Sequence, residues 1–132
     1  MQGLLSVLLP VKDAQATLAA SVHDILDVVT DSSEQFELLI IDDGSTDATS
    51  EVAHELTYHY PQVRVVRHHT SLGREAAIRT GLKRSQGKTV VLGDEDGSFR
   101  VIQNAHEGMA SPPSRPAVPN YIRRLKELVL GE

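Results

Sequence analysis

The sequence predicts an α/β fold with a mainly parallel, four-stranded sheet and helices on both faces. Short unbroken apolar runs, such as Leu38–Ile41 and Val90–Leu92, are typical of strands that are buried on both faces. Segments with helical periodicity separate these runs. Strand–helix–strand connections of this length imply right-handed crossovers between parallel strands. The predicted order is β-α-β-α-β-α-β, which is half of a doubly wound sheet.

The first strand and the first helix follow from the apolar pattern at the start of the chain. Leu4–Leu9 reads as a strand, and Pro10 is expected to end it. The first helix is predicted over Ala14–Val29, because its apolar residues recur at helical spacing and form one stripe: Leu18, Val22, Ile25, Leu26 and Val29.

The second strand is predicted over Phe36–Ile41, and the helix after it is expected to end before Pro61. Ser45 or Thr46 is well suited to cap the amino end of that helix, because a hydroxyl oxygen can accept a hydrogen bond from a free backbone N–H.

The third strand is predicted over Val63–Val66, and the fourth over Thr89–Leu92. Between them, Gly73 is expected to open a third helix that closes at a Gly87 C-cap. Beyond Phe99 the pattern weakens.

The predicted domain therefore covers residues 1–110. A proline-rich linker at 111–119 and an amphipathic helix at 120–132 follow, and this last helix could dock on the domain or pair two copies of the chain.

Composition narrows the class of protein. The 132 residues are 40% hydrophobic and 23% charged, as in ordinary soluble domains, and the net charge of −5 argues against nucleic-acid binding. No apolar stretch reaches the ~20 residues that a transmembrane helix needs. The absence of cysteine excludes disulfides, thiolate metal sites and cysteine nucleophiles. We expect a cytoplasmic protein.

Two adjacent carboxylates, Asp42 and Asp43, follow the second strand, and Gly44 lets the chain turn sharply after them. In extended chain their side chains point in opposite directions, so one can cap the turn while the other accepts from a ligand donor. The alternative is an ordinary strand-to-helix turn, in which both acids serve only the helix.

The second acidic signal, Asp94-Glu95-Asp96, follows the fourth strand. Its spacing places Asp94 and Asp96 on one side of an extended segment, which suits Mg²⁺ or Mn²⁺. A solvated acidic turn is the alternative. Carboxylates at the carboxyl ends of parallel strands lie where open α/β sheets bind small ligands.

An arginine and six histidines are further candidate site residues. Arg74, beside Gly73 at the start of the third helix, could meet a base or a phosphate, or could pair with Glu75 or another acid. The histidines show no spacing typical of a zinc site, and we expect them at the surface: His23, His54, His59, His68, His69 and His106.

Taken in order, four segments resemble the nucleotide-sugar-binding half of family 2 glycosyltransferases: Ser6–Val11, Glu37–Asp47, Leu72–Leu82 and Asp94–Asp96. The resemblance covers about residues 4 to 99. It implies a GT-A type, Rossmann-like fold, a nucleoside-diphosphate sugar as donor, either a UDP- or a GDP-sugar, and inversion at the anomeric carbon. Lys12 stands where the family commonly has an aromatic residue.

The resemblance also implies roles for individual residues. Pro10 and Val11 would line the nucleoside pocket, and Asp42 or Asp43 would accept from the base. Gly73 and Arg74 would border the base or phosphate. Ribose and the metal-bound diphosphate would be held by Asp94 and Asp96.

Three function hypotheses follow. The first is a compact or truncated transferase whose catalytic base is not identified, with Glu95, Glu107 or an acid from a partner chain as candidates. The second is a noncatalytic nucleotide-sugar-binding or assembly module that uses the final helix to form oligomers. The third is a phosphoacceptor domain resembling receiver domains, which also carry paired acids near strand ends.

Overall fold

The computed structural model of the chain describes residues 4–31, 35–94 and 97–104. In chain order, these residues form β1 (Leu5–Val11), α1 (Leu18–Thr30), β2 (Phe36–Asp42), α2 (Thr49–His59), β3 (Val63–Arg67), α3 (Arg74–Arg84), β4 (Thr89–Gly93) and β5 (Phe99–Asn104). They make one sheet in the order β3-β2-β1-β4-β5. The first four strands run parallel, which confirms the predicted fold class.

The sheet has one strand more than the four predicted. β5 runs antiparallel to β4, with Phe99 opposite Gly93 and Val101 opposite Val91. Because β5 has only one neighbour among the described strands, it needs less apolar surface than a central strand, and Val101 and Ile102 are only partly buried. Its sequence therefore lacks the unbroken apolar run that marks the other strands.

The prediction that Pro10 ends the first strand is wrong. It lies inside β1 and is in register with Ile41 of β2. The Leu5 N–H donates to the Gln35 carbonyl oxygen and the Val11 carbonyl oxygen accepts from the Asp43 N–H, so the backbone groups of odd-numbered residues in β1 point toward β2. Because these groups alternate in direction along a strand, the backbone of Pro10 points toward β4. The β1–β4 pairing ends at Leu8↔Leu92, so no ladder bond is lost where proline lacks its N–H.

Helices cover both faces of the sheet. α1 and α2 pack on one face, and α1 buries the predicted apolar stripe of Leu18, Val22, Ile25, Leu26 and Val29. α3 packs on the other face through Ala77 and Gly81. A Cβ on Gly81 would lie 2.8 Å from Leu8 Cδ1, so glycine lets α3 approach the sheet closely.

Two helix starts differ from the predictions. α1 begins at Leu18 and not at Ala14, and the Ala14 N–H donates to Thr49 Oγ1 at 2.7 Å in the loop before it. α2 begins at Thr49 after Ala48, and no side chain caps it, so neither Ser45 nor Thr46 is its cap. Ser45 Oγ accepts from the Asp13 N–H at 2.8 Å, and the Thr46 N–H donates to Asp13 Oδ1 at 2.8 Å. The two loops before these helices bond to each other before either helix starts.

The predicted Gly87 C-cap is also wrong. α3 ends at Arg84, with Ser85 as its cap. The Gly87 N–H donates to Ser6 Oγ at 2.8 Å, and a Cβ there would lie 2.4 Å from the Leu4 carbonyl oxygen. Glycine is required at position 87 for close approach to β1.

The boundary at residue 110, the linker at 111–119 and the helix at 120–132 lie outside the described residues. Within residues 4–31, 35–94 and 97–104, no helix combines the length and apolarity needed to cross a lipid bilayer.

Candidate functional site

A cleft of about 340 Å³ opens at the carboxyl edge of the parallel strands. It lies next to the point where the strand order reverses, with β2 on one side of β1 and β4 on the other, which is where open α/β sheets bind ligands. The end of β1, the loop before α3 and the start of α3 line it: Pro10, Val11, Lys12, Asp43, Ser71, Gly73, Arg74 and Ala77.

Asp43 organises one wall of this cleft. Its Oδ1 accepts from His68 Nδ1 at 2.7 Å and from the Leu72 N–H at 2.8 Å. Its Oδ2 accepts from Ser71 Oγ at 2.9 Å and from the Gly73 N–H at 3.0 Å. A carboxylate offers about four acceptor positions, so Asp43 is fully used by this chain. A ligand donor would have to replace one of these partners.

The same bonds set the charge state of Asp43. Burial raises its pKa, but the hydrogen bonds from Leu72, His68, Ser71 and Gly73 outweigh burial and lower the pKa from 3.8 to about 2. Asp43 is therefore ionised at neutral pH although only 5% of its surface is exposed.

His68 is the clearest residue that the sequence interpretation misplaced. It was expected at the surface but is buried, and its Nε2 lies 2.8 Å from Thr80 Oγ1 of α3. His68 thus connects Asp43, at the end of β2, to the middle of α3. One local signal exists: His68 directly follows a strand, at the edge of the sheet where the acids lie.

Asp42 occupies a different environment from its neighbour. It is fully buried, does not line the cleft, and its Oδ1 accepts from the Ser45 N–H at 3.0 Å. Its Oδ2 makes no hydrogen bond to the described residues and lies 3.7 Å from Arg67 Nε. Arg67 also donates to the Ser45 carbonyl oxygen at 3.0 Å. Asp42 therefore holds the turn, while Asp43 faces the cleft.

Arg74 and Asp94 are paired with each other. Arg74 Nη2 donates to Asp94 Oδ1 at 2.5 Å, and both side chains are partly exposed. This pair joins the start of α3 to the end of β4, so Asp94 stands beside the cleft although it does not line it. The sequence left open whether Arg74 meets a ligand or pairs with an acid. In the structure it pairs with an acid, Asp94, which is itself a candidate site residue.

The loop after β1 and the loop after β2 are tied together, which the sequence interpretation did not anticipate. Asp13 Oδ1 accepts from the Thr46 N–H at 2.8 Å, and the Ala48 N–H donates to Gln15 Oε1 at 2.9 Å. Asp13 has a positive φ of 52°, which Asp tolerates better than most residues. These bonds fix the backbone that carries the β1 side of the cleft.

Asp94 is the residue of the candidate metal site that the structure describes. Asp94 Oδ2 lies 3.4 Å from Ser98 Oγ, a long contact, while Asp96 and Glu95 lie outside the described residues. In the described part of the chain, no three Asp, Glu, His or Cys residues converge on a possible metal position. One or two carboxylates that share Mg²⁺ with phosphates and water would still fit this donor set.

The chain belongs to a known family of enzymes. The family model for Glycosyl transferase family 2 matches residues 6–106, which include all of the described sheet except Leu5 and all residues that line the cleft.

Individual relatives include glycosyltransferases from very different organisms. The chain is 29% identical to human dolichyl-phosphate beta-glucosyltransferase over 114 residues, which are 80% of this chain and 35% of the human protein. It is 32% identical to an uncharacterized glycosyltransferase of Haemophilus influenzae over 93 residues, which are 70% and 36% of the two chains.

Solved structures share the fold. The mannosyltransferase PcManGT from Pyrobaculum calidifontis, in complex with GDP-Man and Mn²⁺, matches with a TM-score of 0.59 and 22% identity over 73% of this chain and 28% of that chain. TarS 1-349 from S. aureus, in complex with UDP-GlcNAc, matches with a TM-score of 0.60 and 23% identity, covering 73% and 27%. These matches support a GT-A, Rossmann-like fold. The chain spans only about a third of the length of its relatives, or less.

Proposed function

We propose that this chain is the donor-binding part of a glycosyltransferase and that the cleft holds a nucleoside-diphosphate sugar. The observation that carries the proposal is the lining of the cleft. It unites five of the residues for which the family resemblance implies nucleotide binding: Pro10, Val11, Asp43, Gly73 and Arg74. The PcManGT structure is a complex with GDP-Man and the TarS structure a complex with UDP-GlcNAc, so either a UDP- or a GDP-sugar fits the proposal.

Each element has a distinct role in the proposal. Pro10 and Val11 offer apolar contacts to the nucleoside at the end of β1. Asp43 holds the 68–73 loop in place through its four hydrogen bonds. Arg74 supplies a cation to the base or phosphate, and Asp94 contributes a carboxylate beside it. Asp42 supports the turn from behind.

A divalent cation fits the donor set at the end of β4. Hard oxygen ligands such as the Asp94 carboxylate suit Mg²⁺ or Mn²⁺. When bound, such a cation would neutralise the charge that develops on the departing diphosphate. The PcManGT complex with GDP-Man and Mn²⁺ supports this proposal by analogy of fold.

Sugar transfer with inversion also requires an acceptor site and a carboxylate that removes the proton from the acceptor hydroxyl. In this proposal, the residues of the cleft bind the donor, and none of them is assigned to the acceptor. Because the chain spans about a third of its relatives, we propose that transfer by the whole protein uses additional chain that this sequence does not contain. The candidate bases Glu95 and Glu107 lie outside the described residues.

Calorimetric titration of UDP, GDP and their sugar conjugates, each with and without Mn²⁺, tests the donor site. Binding that strengthens with Mn²⁺ is expected. Asp94→Asn and Asp96→Asn should each remove the Mn²⁺-dependent part, whereas Asp24→Asn on the exposed side of α1 should not. Absence of binding to every nucleotide by the wild-type chain would overturn the proposal.

A further inference from the structure

The cleft contains a cation that the interpretation of the sequence did not assign to the site. Lys12 lines it directly after the end of β1. Within the described part of the chain, the Lys12 side chain forms neither an ion pair nor a hydrogen bond. The other cation in the lining, Arg74, is already paired with Asp94.

The backbone on both sides of Lys12 is fixed. The carbonyl oxygen of Val11 accepts from the Asp43 N–H at 2.9 Å. On the other side, the Asp13 N–H donates to Ser45 Oγ at 2.8 Å, and Asp13 Oδ1 accepts from the Thr46 N–H. The main chain therefore presents Lys12 at one place on the cleft wall, and only the exposed side chain can move.

Lys12 is the cation of the cleft lining that has no acidic partner among the described residues. Asp43 is the one carboxylate among the lining residues, and four donors of this chain already use it. Asp13, the next residue in sequence, and Asp94, which stands beside the cleft, also have partners. The ammonium group of Lys12 thus remains available to a ligand, and an ammonium–phosphate contact is a strong, charge-assisted hydrogen bond.

We propose that Lys12 binds the diphosphate group of the donor nucleotide through its ammonium group. This inference rests on the proposed function, because it assigns a ligand contact within the same cleft. It makes nucleotide affinity depend on salt and on the phosphate groups, since exposed ionic contacts weaken as ionic strength rises. A nucleoside without phosphates would gain nothing from this contact.

The test compares Lys12→Met, Lys12→Arg and the wild-type chain in titrations with UDP, GDP, uridine and inorganic pyrophosphate, at low and high salt. Methionine keeps much of the length and apolar volume of lysine but removes its charge. Lys88→Met is the matched control, because Lys88 is also exposed but precedes β4, at the opposite edge of the sheet.

Lys12→Met should weaken binding of UDP or GDP roughly fivefold to tenfold at low salt, and less at high salt. Uridine binding should be unchanged, Lys12→Arg should retain most of the affinity, and Lys88→Met should behave as wild type. Equal nucleotide affinity of Lys12→Met and wild type would overturn the inference. An equal loss for uridine and UDP would also overturn it, because the contact would then be to the nucleoside.

The pyrophosphate titration separates this inference from the proposed function. If the wild-type chain binds no nucleotide but binds pyrophosphate in a Lys12-dependent way, the proposed function fails and the anion contact stands. If it binds neither, both fail. Unfolding midpoints of Lys12→Met and Lys88→Met should match the wild type, which excludes misfolding as the cause of lost binding.

Discussion

His68 Nδ1 lies 2.7 Å from Asp43 Oδ1, and the two buried side chains meet at the wall of the cleft that Asp43 lines. An ionised carboxylate can only accept, so Nδ1 carries the donated proton. In the neutral ring, Nε2 is then the acceptor that faces the Thr80 hydroxyl. This relationship links the acid after β2 to the residue after β3 and to α3, and it makes Asp43 the centre of the loop that borders the cleft.

Asp43→Asn should destabilise the fold. An amide group in place of one carboxylate oxygen would put N–H donors against the donors that now bind Asp43, leaving buried groups unpaired. A loss of about 1–3 kcal/mol in the free energy of unfolding is expected. Urea denaturation measures it, with Asp24→Asn on the exposed face of α1 as the control. Equal stability of the two variants would show that these bonds are not needed for folding.

The pH dependence of stability follows from the lowered pKa of Asp43. Because its pKa falls from 3.8 in the unfolded chain to about 2 in the fold, the ionised group stabilises the protein at pH values above the unfolded pKa. This contribution, about 2 kcal/mol, is lost as pH falls from about 4 toward 2. The difference in unfolding free energy between wild type and Asp43→Asn should therefore shrink over that interval. A difference that stays constant from pH 6 to pH 2 would contradict this assignment.

Gly44→Ala and Gly73→Ala separate steric from conformational effects. Both glycines have positive φ, 70° and 102°, but a Cβ on Gly44 would lie 2.5 Å from the Ser71 backbone nitrogen, while nothing lies within 4 Å of a Cβ on Gly73. Gly73 has a ψ of 160°, which with its positive φ lies in a region that is essentially restricted to glycine, so Gly73→Ala should cost about 1–3 kcal/mol from backbone strain alone. Gly44→Ala should cost clearly more, because backbone atoms cannot move aside easily. Chemical denaturation of both variants decides the order, and the reverse order would refute the steric argument.

Glu37→Gln should reduce stability without changing ligand binding. Glu37 Oε2 accepts from Ser6 Oγ at 2.6 Å and from the Gln86 N–H at 2.7 Å, and Oε1 pairs with Arg64 at 2.7 Å. Burial raises the pKa of Glu37, but these bonds outweigh burial and hold the pKa below its usual value. We expect a loss of about 1–3 kcal/mol in unfolding free energy.

Nucleotide affinity of Glu37→Gln should stay at the wild-type value, because Glu37 lies near the start of β2 and the cleft lies at the other end of the strands. Glu51→Gln, on the exposed side of α2, is the control for removal of an acidic charge. A large loss of affinity in Glu37→Gln at full stability would contradict this separation of the two edges.

Arg74→Gln should lower nucleotide affinity and leave stability nearly unchanged, which is the opposite of the result expected for Glu37→Gln. The Arg74–Asp94 pair is partly exposed, and such pairs contribute little, so stability should change by less than about 1 kcal/mol. If Arg74 contacts the nucleotide as proposed, affinity for UDP or GDP should fall at least fivefold to tenfold, on the order of one charge-assisted contact. Arg79→Gln, exposed on the same helix, should leave affinity unchanged. Calorimetry and denaturation together distinguish loss of binding from loss of fold.

The sequence by itself determined the parallel sheet, because burial on both faces imposes unbroken apolar runs on β1, β2 and β4. It also determined the apolar stripe of α1, which the structure buries as predicted. Acids and glycines directly after strands identified the edge of the sheet that carries the cleft. These features are local, since the repeat of apolar residues along a strand or helix depends only on residues close in sequence.

Only the tertiary structure decided which side chains meet. Pro10 is tolerated inside β1 because β4 no longer pairs beside it, and β5 exists without an apolar run because it lies at the edge. His68 is buried, and Asp43 is occupied by four donors, because β2, β3 and the start of α3 converge at one place. The partners of Asp43 are 25 to 30 positions away from it in the sequence, so no local pattern predicts these contacts.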